Sequence, residues 1–148
     1  MQIERETVIA APVERVWAVL TEAEHVGRWF SDAGADIELR PGGPIVMRWT
    51  EHGTIRARIV DVEPPRRFSY RWVPIPEHWG EEPDDRNSTL VEFTLAAEGD
   101  GTRLKVVESG FDALEGTDDQ RRRAFEGNTE GWETQLGNVR DYLARVAA

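Results

Sequence analysis

The chain has 148 residues, 39% of them apolar, with six tryptophans and five phenylalanines. This composition indicates a globular protein, and the length predicts one domain over residues 1–148. The absence of cysteine excludes disulfides and thiolate chemistry, and the formal net charge of −10 argues against nucleic acid as a partner.

The N-terminal region predicts one strand and two short helices. Residues 2–10 read as a strand that carries Ile3 and Ile9, and residues 13–20 have apolar positions at helical spacing. Thr21, followed by Glu24, has the pattern of a capping box and predicts the start of the second helix. The charged first residues lack the apolar core of a signal peptide, and no stretch of 18 apolar residues follows. We therefore expect a cytoplasmic protein without membrane insertion.

From residue 35 to residue 109 apolar side chains recur at every second position, which predicts six successive strands. Turn sequences at residues 41–44, 51–53 and 98–101 separate some of them. The apolar phase shifts after Ile59 to Val60 and Val62, which indicates a β-bulge. The alternate residues of these strands that are predicted to face the core form an inward row. In chain order, its last members are Leu104, Val106 and Glu108.

A helix of about 28 residues is predicted at the C-terminal end. At a rise of 1.5 Å per residue, this helix would be roughly 40 Å long. Thr117 and Gln120 form a second capping-box pattern at its start. Its apolar stripe comprises Phe125, Trp132, Leu136, Val139, Leu143 and Val146, with Asn128 inside the stripe and Gln135 and Tyr142 on one flank. Three glycines, Gly127, Gly131 and Gly137, lie inside this predicted helix. Each destabilises the helix by about 1 kcal/mol relative to alanine.

Together these elements predict an α+β architecture in which the long helix covers the apolar face of an antiparallel sheet. The missing side chains on the helix and the aromatic row on the sheet favour an enclosed ligand pocket. The alternative is that the glycines allow close packing of the helix and that the aromatic residues form a dense core.

The sequence offers few candidates for chemistry. No two histidines have a metal-ligand spacing, and no phosphate-binding loop or nucleophile motif is present, so neither metal nor cofactor nor catalytic residue is predicted. Glu108 is either a general base or ligand anchor in an apolar cavity, or an exposed charge at a strand end. Tyr70 is either a hydrogen-bond donor to a ligand or a core residue, and Arg48 is a further polar candidate. The loop at residues 74–87, which contains Trp79, is either a lid or a disordered insertion.

Several segments resemble one known group. The segment IAAPVERVWAVLTEAEHVGRWF is similar to the N-terminal signature of the SRPBCC, or START-like, superfamily. The segments PGGPIVMRW, VEPPRRFSYRW, STLVEFTL, GDGTRLKVVESGF and GWETQLGNVRDYL follow, in order, the pattern of a branch resembling the C-terminal domain of the activator of heat-shock protein 90 ATPase.

The resemblance implies a helix-grip fold: a seven-stranded antiparallel sheet around a long C-terminal helix, with a cavity between them. It favours binding of a small hydrophobic molecule, such as a lipid, by a carrier or sensor that is a monomer or homodimer. The alternatives are a co-chaperone-like domain that binds a chaperone or another protein, and an enzyme resembling polyketide cyclases. The candidate ligand-binding residues are Trp29, Met47, Trp49, Phe68, Tyr70, Trp72, Phe93, Val106, Glu108, Asn128, Gly131, Trp132 and Gln135.

Overall fold

The computed structural model describes residues 1–146. Seven strands form one sheet, and three α-helices accompany it. The strands are β1 (Gln2–Ile9), β2 (Ala35–Ile37), β3 (Pro44–Trp49), β4 (Gly53–Glu63), β5 (Arg67–Trp72), β6 (Thr89–Glu98) and β7 (Gly101–Ser109). The helices are α1 (Val13–Thr21), α2 (Ala23–Trp29) and α3 (Asp118–Val146), and single 3-10 turns lie at Pro76–His78 and Phe111–Ala113.

The sheet has the spatial order β1-β7-β6-β5-β4-β3-β2, and every neighbouring pair is antiparallel. Each strand from β2 to β7 pairs with the next strand in the chain. Short turns join most of these antiparallel pairs, and the longer segment at residues 73–88 joins β5 to β6. Helices α1 and α2 carry the chain from β1 at one edge to β2 at the other. The predicted seven-stranded, α+β helix-grip architecture is confirmed.

The predicted bulge is present in β4. Ile59 pairs with Tyr70 and Asp61 pairs with Ser69, which leaves Val60 as the extra residue between them. Val60 is 40% exposed, so the bulge turns it out of the core while Ile59 stays buried. A bulge bends its strand and increases the local twist, here within the 11-residue β4.

Two local predictions are wrong. Thr21 does not cap α2, because it is the last residue of α1 and its hydroxyl donates to the Trp17 carbonyl at 2.8 Å. Glu22 occupies the N-cap position of α2 instead, without a side-chain cap. The alternation of apolar residues from residue 35 also predicts that Ile37 and Leu39 face the core from one strand, but β2 ends at Ile37 and Leu39 is 42% exposed.

Helix α3 begins with the predicted capping box. The Thr117 hydroxyl accepts a hydrogen bond from the Gln120 N–H at 3.0 Å, and the Gln120 side chain accepts one from the Thr117 N–H at 2.9 Å. The helix is held across the sheet at several points: Trp132 stacks on Trp72 of β5, and the Arg140 guanidinium donates to the Thr7 hydroxyl of β1 at 3.1 Å.

The buried face of α3 differs slightly from the predicted stripe. Its buried residues are Ala124, Trp132, Leu136, Val139, Tyr142 and Leu143. Tyr142, predicted on the flank, is buried against α2, where its hydroxyl forms a 2.6 Å hydrogen bond with Nδ1 of His25. Phe125 is only half-buried, and Val146 at the helix end is 37% exposed.

Candidate ligand-binding site

A groove of about 530 Å³ lies between α3, the strands β3 to β5 and the loop that follows β5. Its inner walls are buried aromatic side chains, and its mouth is formed by exposed polar residues. The residues that line it are Phe30, Asp32, Trp49, Glu51, His52, Ile55, Trp72, Pro74, Pro76, Glu77, Trp79, Gln120, Arg123, Ala124, Gly127, Asn128, Gly131, Trp132 and Gln135.

The glycines of α3 leave open space and do not serve close packing. A Cβ atom built on Gly127, Gly131 or Gly137 would meet no other heavy atom within 4 Å. Gly127 and Gly131 line the groove, one turn apart on the same side of the helix. The interpretation that these glycines allow a close approach of α1 or α2 is therefore wrong, and at two of the three positions the absent side chain widens the groove.

The groove is bounded by a cluster of aromatic rings centred on Phe30. The ring of Phe30 lies 5.8 Å from those of Trp49 and Trp72 and 5.7 Å from that of Trp132, measured between centroids. Trp72 and Trp132 stack at 5.5 Å with an interplanar angle of 28°. Phe30 directly follows α2, so this cluster joins the short helices, the sheet and α3 around one space.

Beneath these rings lies Glu108, whose side chain is completely buried. One carboxylate oxygen accepts hydrogen bonds from Nε1 of Trp72 at 2.9 Å and from the Thr89 hydroxyl at 2.6 Å. The other accepts from Nε1 of Trp132 at 2.8 Å, and Nδ2 of Asn128 contacts both oxygens at 3.0 and 3.1 Å. Four uncharged side chains from β5, β6 and α3 thus surround a single carboxylate.

The pKa of Glu108 is raised above its ordinary value, because burial in the core disfavours the charged form. The hydrogen bonds from Thr89, Trp72, Trp132 and Asn128 act in the opposite direction and favour the carboxylate. The indole N–H groups and the Asn128 NH2 group can only donate, so both Glu108 oxygens accept in these contacts. The alternative of an exposed charge at a strand end is wrong for Glu108.

The structure divides the predicted site residues into three groups. Six of them line the groove, namely Trp49, Trp72, Asn128, Gly131, Trp132 and Gln135. Five surround a separate void of only about 10 Å³, namely Trp29, Met47, Phe68, Tyr70 and Phe93. Val106 and Glu108 line neither space, since both are fully buried in β7.

Tyr70 and Arg48 lie away from the groove. The Tyr70 hydroxyl is buried and has no hydrogen-bond partner among the described residues. Its pKa is raised well above the ordinary value, mainly because of burial and secondly because of the nearby Glu108. Arg48 pairs with Asp36 on the neighbouring strand β2. Neither side chain is therefore placed to contact a molecule in the groove.

The loop between β5 and β6 is fixed to the sheet by hydrogen bonds, so the alternative of a disordered insertion is wrong. The Asp84 carboxylate accepts from the N–H groups of Arg86 and Asn87, at 2.8 and 3.0 Å, and these bonds lower its pKa. The Arg56 side chain donates to the Gly80 carbonyl at 3.1 Å. This loop carries Trp79 to the groove, where its ring meets His52 at 6.1 Å.

Sequence reasoning missed the part of the site that the loops supply. Asp32, Glu51, Glu77 and His52 come from turns and loops whose position no periodicity reveals. A signal was available on α3, where Gln120, Arg123, Ala124, Gly127 and Asn128 repeat the three- and four-residue spacing of one helix face.

Within residues 1–146, no cluster of three or more histidine or acidic side chains is arranged to hold a metal ion. Within the same residues no helix combines the length and the apolar character needed to cross a bilayer.

The fold and the groove define a class of protein: the helix-grip proteins of the SRPBCC superfamily, with a cavity between the sheet and the C-terminal helix. Residues 10–144 match the model of the family described as activator of Hsp90 ATPase homolog 1-like protein. The chain therefore belongs to that family. The comparison with curated proteins found no significant match.

Solved structures show the same fold. Protein MLL2253 from Mesorhizobium loti is 23% identical with a TM-score of 0.79, over 98% of both chains. CalU16 from Micromonospora echinospora is 27% identical with a TM-score of 0.71, over 96% of this chain and 75% of the other. PFC0360w, an HSP90 activator from Plasmodium falciparum, is 18% identical with a TM-score of 0.75, over 97% and 96% of the two chains.

Proposed function

We propose that the protein binds a small, largely apolar molecule in the groove between the sheet and α3, as a carrier or sensor. The observation that carries the proposal is a groove of about 530 Å³ with aromatic walls, beside which Gly127 and Gly131 leave open space. Pockets for small molecules have volumes of roughly 300–1,000 Å³ and present mostly apolar walls with a few polar groups. Asn128, Gln135 and Gln120 supply such polar groups here.

Catalysis is less well supported than binding. A general base needs an oxygen free to approach the substrate, whereas both oxygens of Glu108 already accept hydrogen bonds within the core. Tyr70, which was predicted as a hydrogen-bond donor to a ligand, borders the small void and not the groove. A binding protein needs neither group.

Protein binding is the second candidate, because the family description names an activator of Hsp90 ATPase and PFC0360w is an HSP90 activator. Such a function uses an outer surface, and it predicts that the purified protein raises the ATPase rate of a partner chaperone. If it does so, and if variants that fill the groove activate equally well, the groove is not the functional site.

The ligand-binding proposal is tested by filling the groove at Gly131. Gly131→Leu places a branched side chain into the groove, and we expect at least a tenfold loss of affinity for N-phenyl-1-naphthylamine, an uncharged fluorescent probe. The free energy of unfolding should not fall, since leucine is a better helix former than glycine by about 0.5–1 kcal/mol. Fluorescence titration and urea denaturation measure the two quantities.

Gly137→Leu is the matched control, because Gly137 lies in the same helix beside open space but does not line the groove. This variant should bind the probe as the unmodified protein does. Equal losses in both variants, or no binding of the probe to the unmodified protein, would count against the proposed site.

A further inference from the structure

The mouth of the groove carries an excess of negative charge. Three carboxylates line it, those of Asp32, Glu51 and Glu77, against the single guanidinium of Arg123 among the described residues. Asp32 accepts hydrogen bonds from the N–H and the hydroxyl of Thr50 at 2.7 and 3.2 Å, which hold it in place. Glu51 and Glu77 have no ion-pair partner within 4.0 Å in residues 1–146.

The one cation of the lining is already engaged outside the groove. Nε of Arg123 lies 3.0 Å from the Asp119 carboxylate, and its side chain is 60% exposed. His52 contributes a ring that meets the edge of Trp79. The groove therefore attracts positive charge, and the net charge of −10 extends this preference over the whole molecule.

A fourth carboxyl group lies under the floor of the groove. The Glu108 side chain is fully buried, and its partners Trp72, Thr89, Asn128 and Trp132 are all neutral donors. No arginine or lysine contacts it among the described residues, so its partners add no positive charge beneath the groove.

The two indole rings that bind Glu108 also line the groove. Nε1 of Trp72 and Nε1 of Trp132 donate to opposite oxygens of the carboxylate. An N–H group that donates to a carboxyl oxygen gains electron density, and in an indole this density spreads over the ring face. The negative face of an aromatic ring is what attracts a cation, and tryptophan is the strongest of the aromatic residues in this respect.

Asn128 completes the polar arrangement. Its Nδ2 is committed to Glu108, at 3.0 and 3.1 Å from the two oxygens. The amide oxygen is therefore the polar atom that this groove-lining side chain retains for a ligand. An oxygen acceptor suits a ligand that presents an N–H donor.

From this juxtaposition of aromatic walls, acidic mouth and buried carboxylate, we propose that the ligand is an organic cation, an aromatic or other apolar body that carries an ammonium group. The inference depends on the proposed ligand-binding function and names its ligand class. Carboxylate ligands such as fatty acids are disfavoured at the same site, because they meet like charge at the mouth.

Three probes that share a naphthalene skeleton test the inference by isothermal titration calorimetry at low ionic strength and pH 7. They are 1-naphthylmethylammonium, the isosteric neutral 1-naphthylmethanol, and the anion 1-naphthoate. We expect the ammonium compound to bind at least tenfold more tightly than the alcohol, and the carboxylate to bind more weakly than the alcohol. Equal affinities for amine and alcohol, or tighter binding of the carboxylate, would overturn the inference.

Two double variants distinguish the effect of the carboxylates at the groove mouth from the effect of the net charge of the protein. Glu51→Gln with Glu77→Gln should lower the preference for amine over alcohol at least threefold and leave alcohol affinity within twofold. Glu14→Gln with Asp100→Asn removes the same charge from exposed positions outside the groove, and it should leave the preference within twofold. An equal effect of both double variants would assign the preference to net charge and contradict the groove as its origin.

The outcomes also separate this inference from the function on which it rests. If N-phenyl-1-naphthylamine binds and Gly131→Leu abolishes its binding, but the amine shows no preference over the alcohol, only the cation inference fails. If no probe binds the unmodified protein, both the ligand-binding function and the cation inference fail.

Discussion

At the scale of the residue, the side chain of Glu108 illustrates the opposed effects of burial and hydrogen bonding on a carboxylate. Transfer of an ionised carboxylate into the core carries a large desolvation cost unless the group is paired and hydrogen-bonded. Here Trp72, Thr89, Asn128 and Trp132 supply hydrogen bonds but no opposite charge. The balance still leaves the pKa of Glu108 raised, with burial as the largest cause.

A raised pKa makes a prediction about stability and pH. The folded state then holds a proton on Glu108 at pH values where the unfolded chain has lost it, so the free energy of unfolding falls as the pH rises through that window. Relative to Glu108→Gln, which cannot titrate, the unmodified protein should lose stability from the ordinary glutamic acid pKa, about 4.3, up through its raised folded pKa.

Urea denaturation of both proteins between pH 4 and pH 8 measures this difference, and changes from other groups, such as Asp84, cancel between the two. A difference that grows in favour of the unmodified protein with rising pH would mean that the four hydrogen bonds outweigh burial. The pKa of Glu108 would then be depressed in the folded protein.

At the scale of the element, α3 combines a strong start with an unfavourable interior. The capping box of Thr117 and Gln120 satisfies two N–H groups that a helix leaves without partners. Gly127, Gly131 and Gly137 then weaken the middle of a 29-residue helix by roughly 1 kcal/mol each. Packing of Trp132, Leu136 and Val139 on the sheet, together with the cap, offsets this cost.

Thr117→Ala should therefore lower the free energy of unfolding by about 0.5–2 kcal/mol, because the Gln120 N–H loses its side-chain acceptor. Thr134→Ala is the control, since Thr134 is exposed in the interior of the same helix and alanine has the higher helix propensity. The control should be neutral or slightly stabilising. Equal losses in both variants, measured by urea denaturation, would show that the capping box contributes nothing beyond helix propensity.

At the scale of the whole molecule, Trp132 joins the helix to three strands of the sheet. Its ring stacks on Trp72 of β5 and meets Phe93 of β6 at 5.7 Å, while its Nε1 donates to Glu108 of β7. Only the folded arrangement of sheet and helix brings these three residues to one side chain. The same ring forms part of the groove wall, so stability and the proposed function meet at this residue.

Trp132→Ala should destabilise the protein by about 3–5 kcal/mol, as large-to-small changes in a core do. Val146→Ala, at the 37%-exposed end of the predicted stripe, should cost less than about 0.5 kcal/mol. Thermal or urea denaturation of the two variants compares them directly. A loss below about 1 kcal/mol for Trp132→Ala would contradict its place at the centre of the helix–sheet contact.

The order of strands and helices, the bulge after Ile59 and the capping box at Thr117 could all be predicted from the sequence, because each depends on side-chain periodicity or on residues within a few positions of one another. The inward orientation of Glu108 followed from the same alternation. By itself, therefore, the sequence determined most of the face that each long strand and α3 bury, whereas the burial of Tyr142 depended on a contact with α2.

Only the tertiary structure decided which inward residues border open space. Trp72 and Tyr70 alternate identically in β5, yet Trp72 lines the groove and Tyr70 lies against the 10 Å³ void. The difference arises from how far each part of the sheet lies from α3 and from what α2 and the loop after β5 bring into the gap. Those distances depend on contacts between residues far apart in the chain, such as Phe30 with Trp132 and Trp72 with Glu108, which no local pattern encodes.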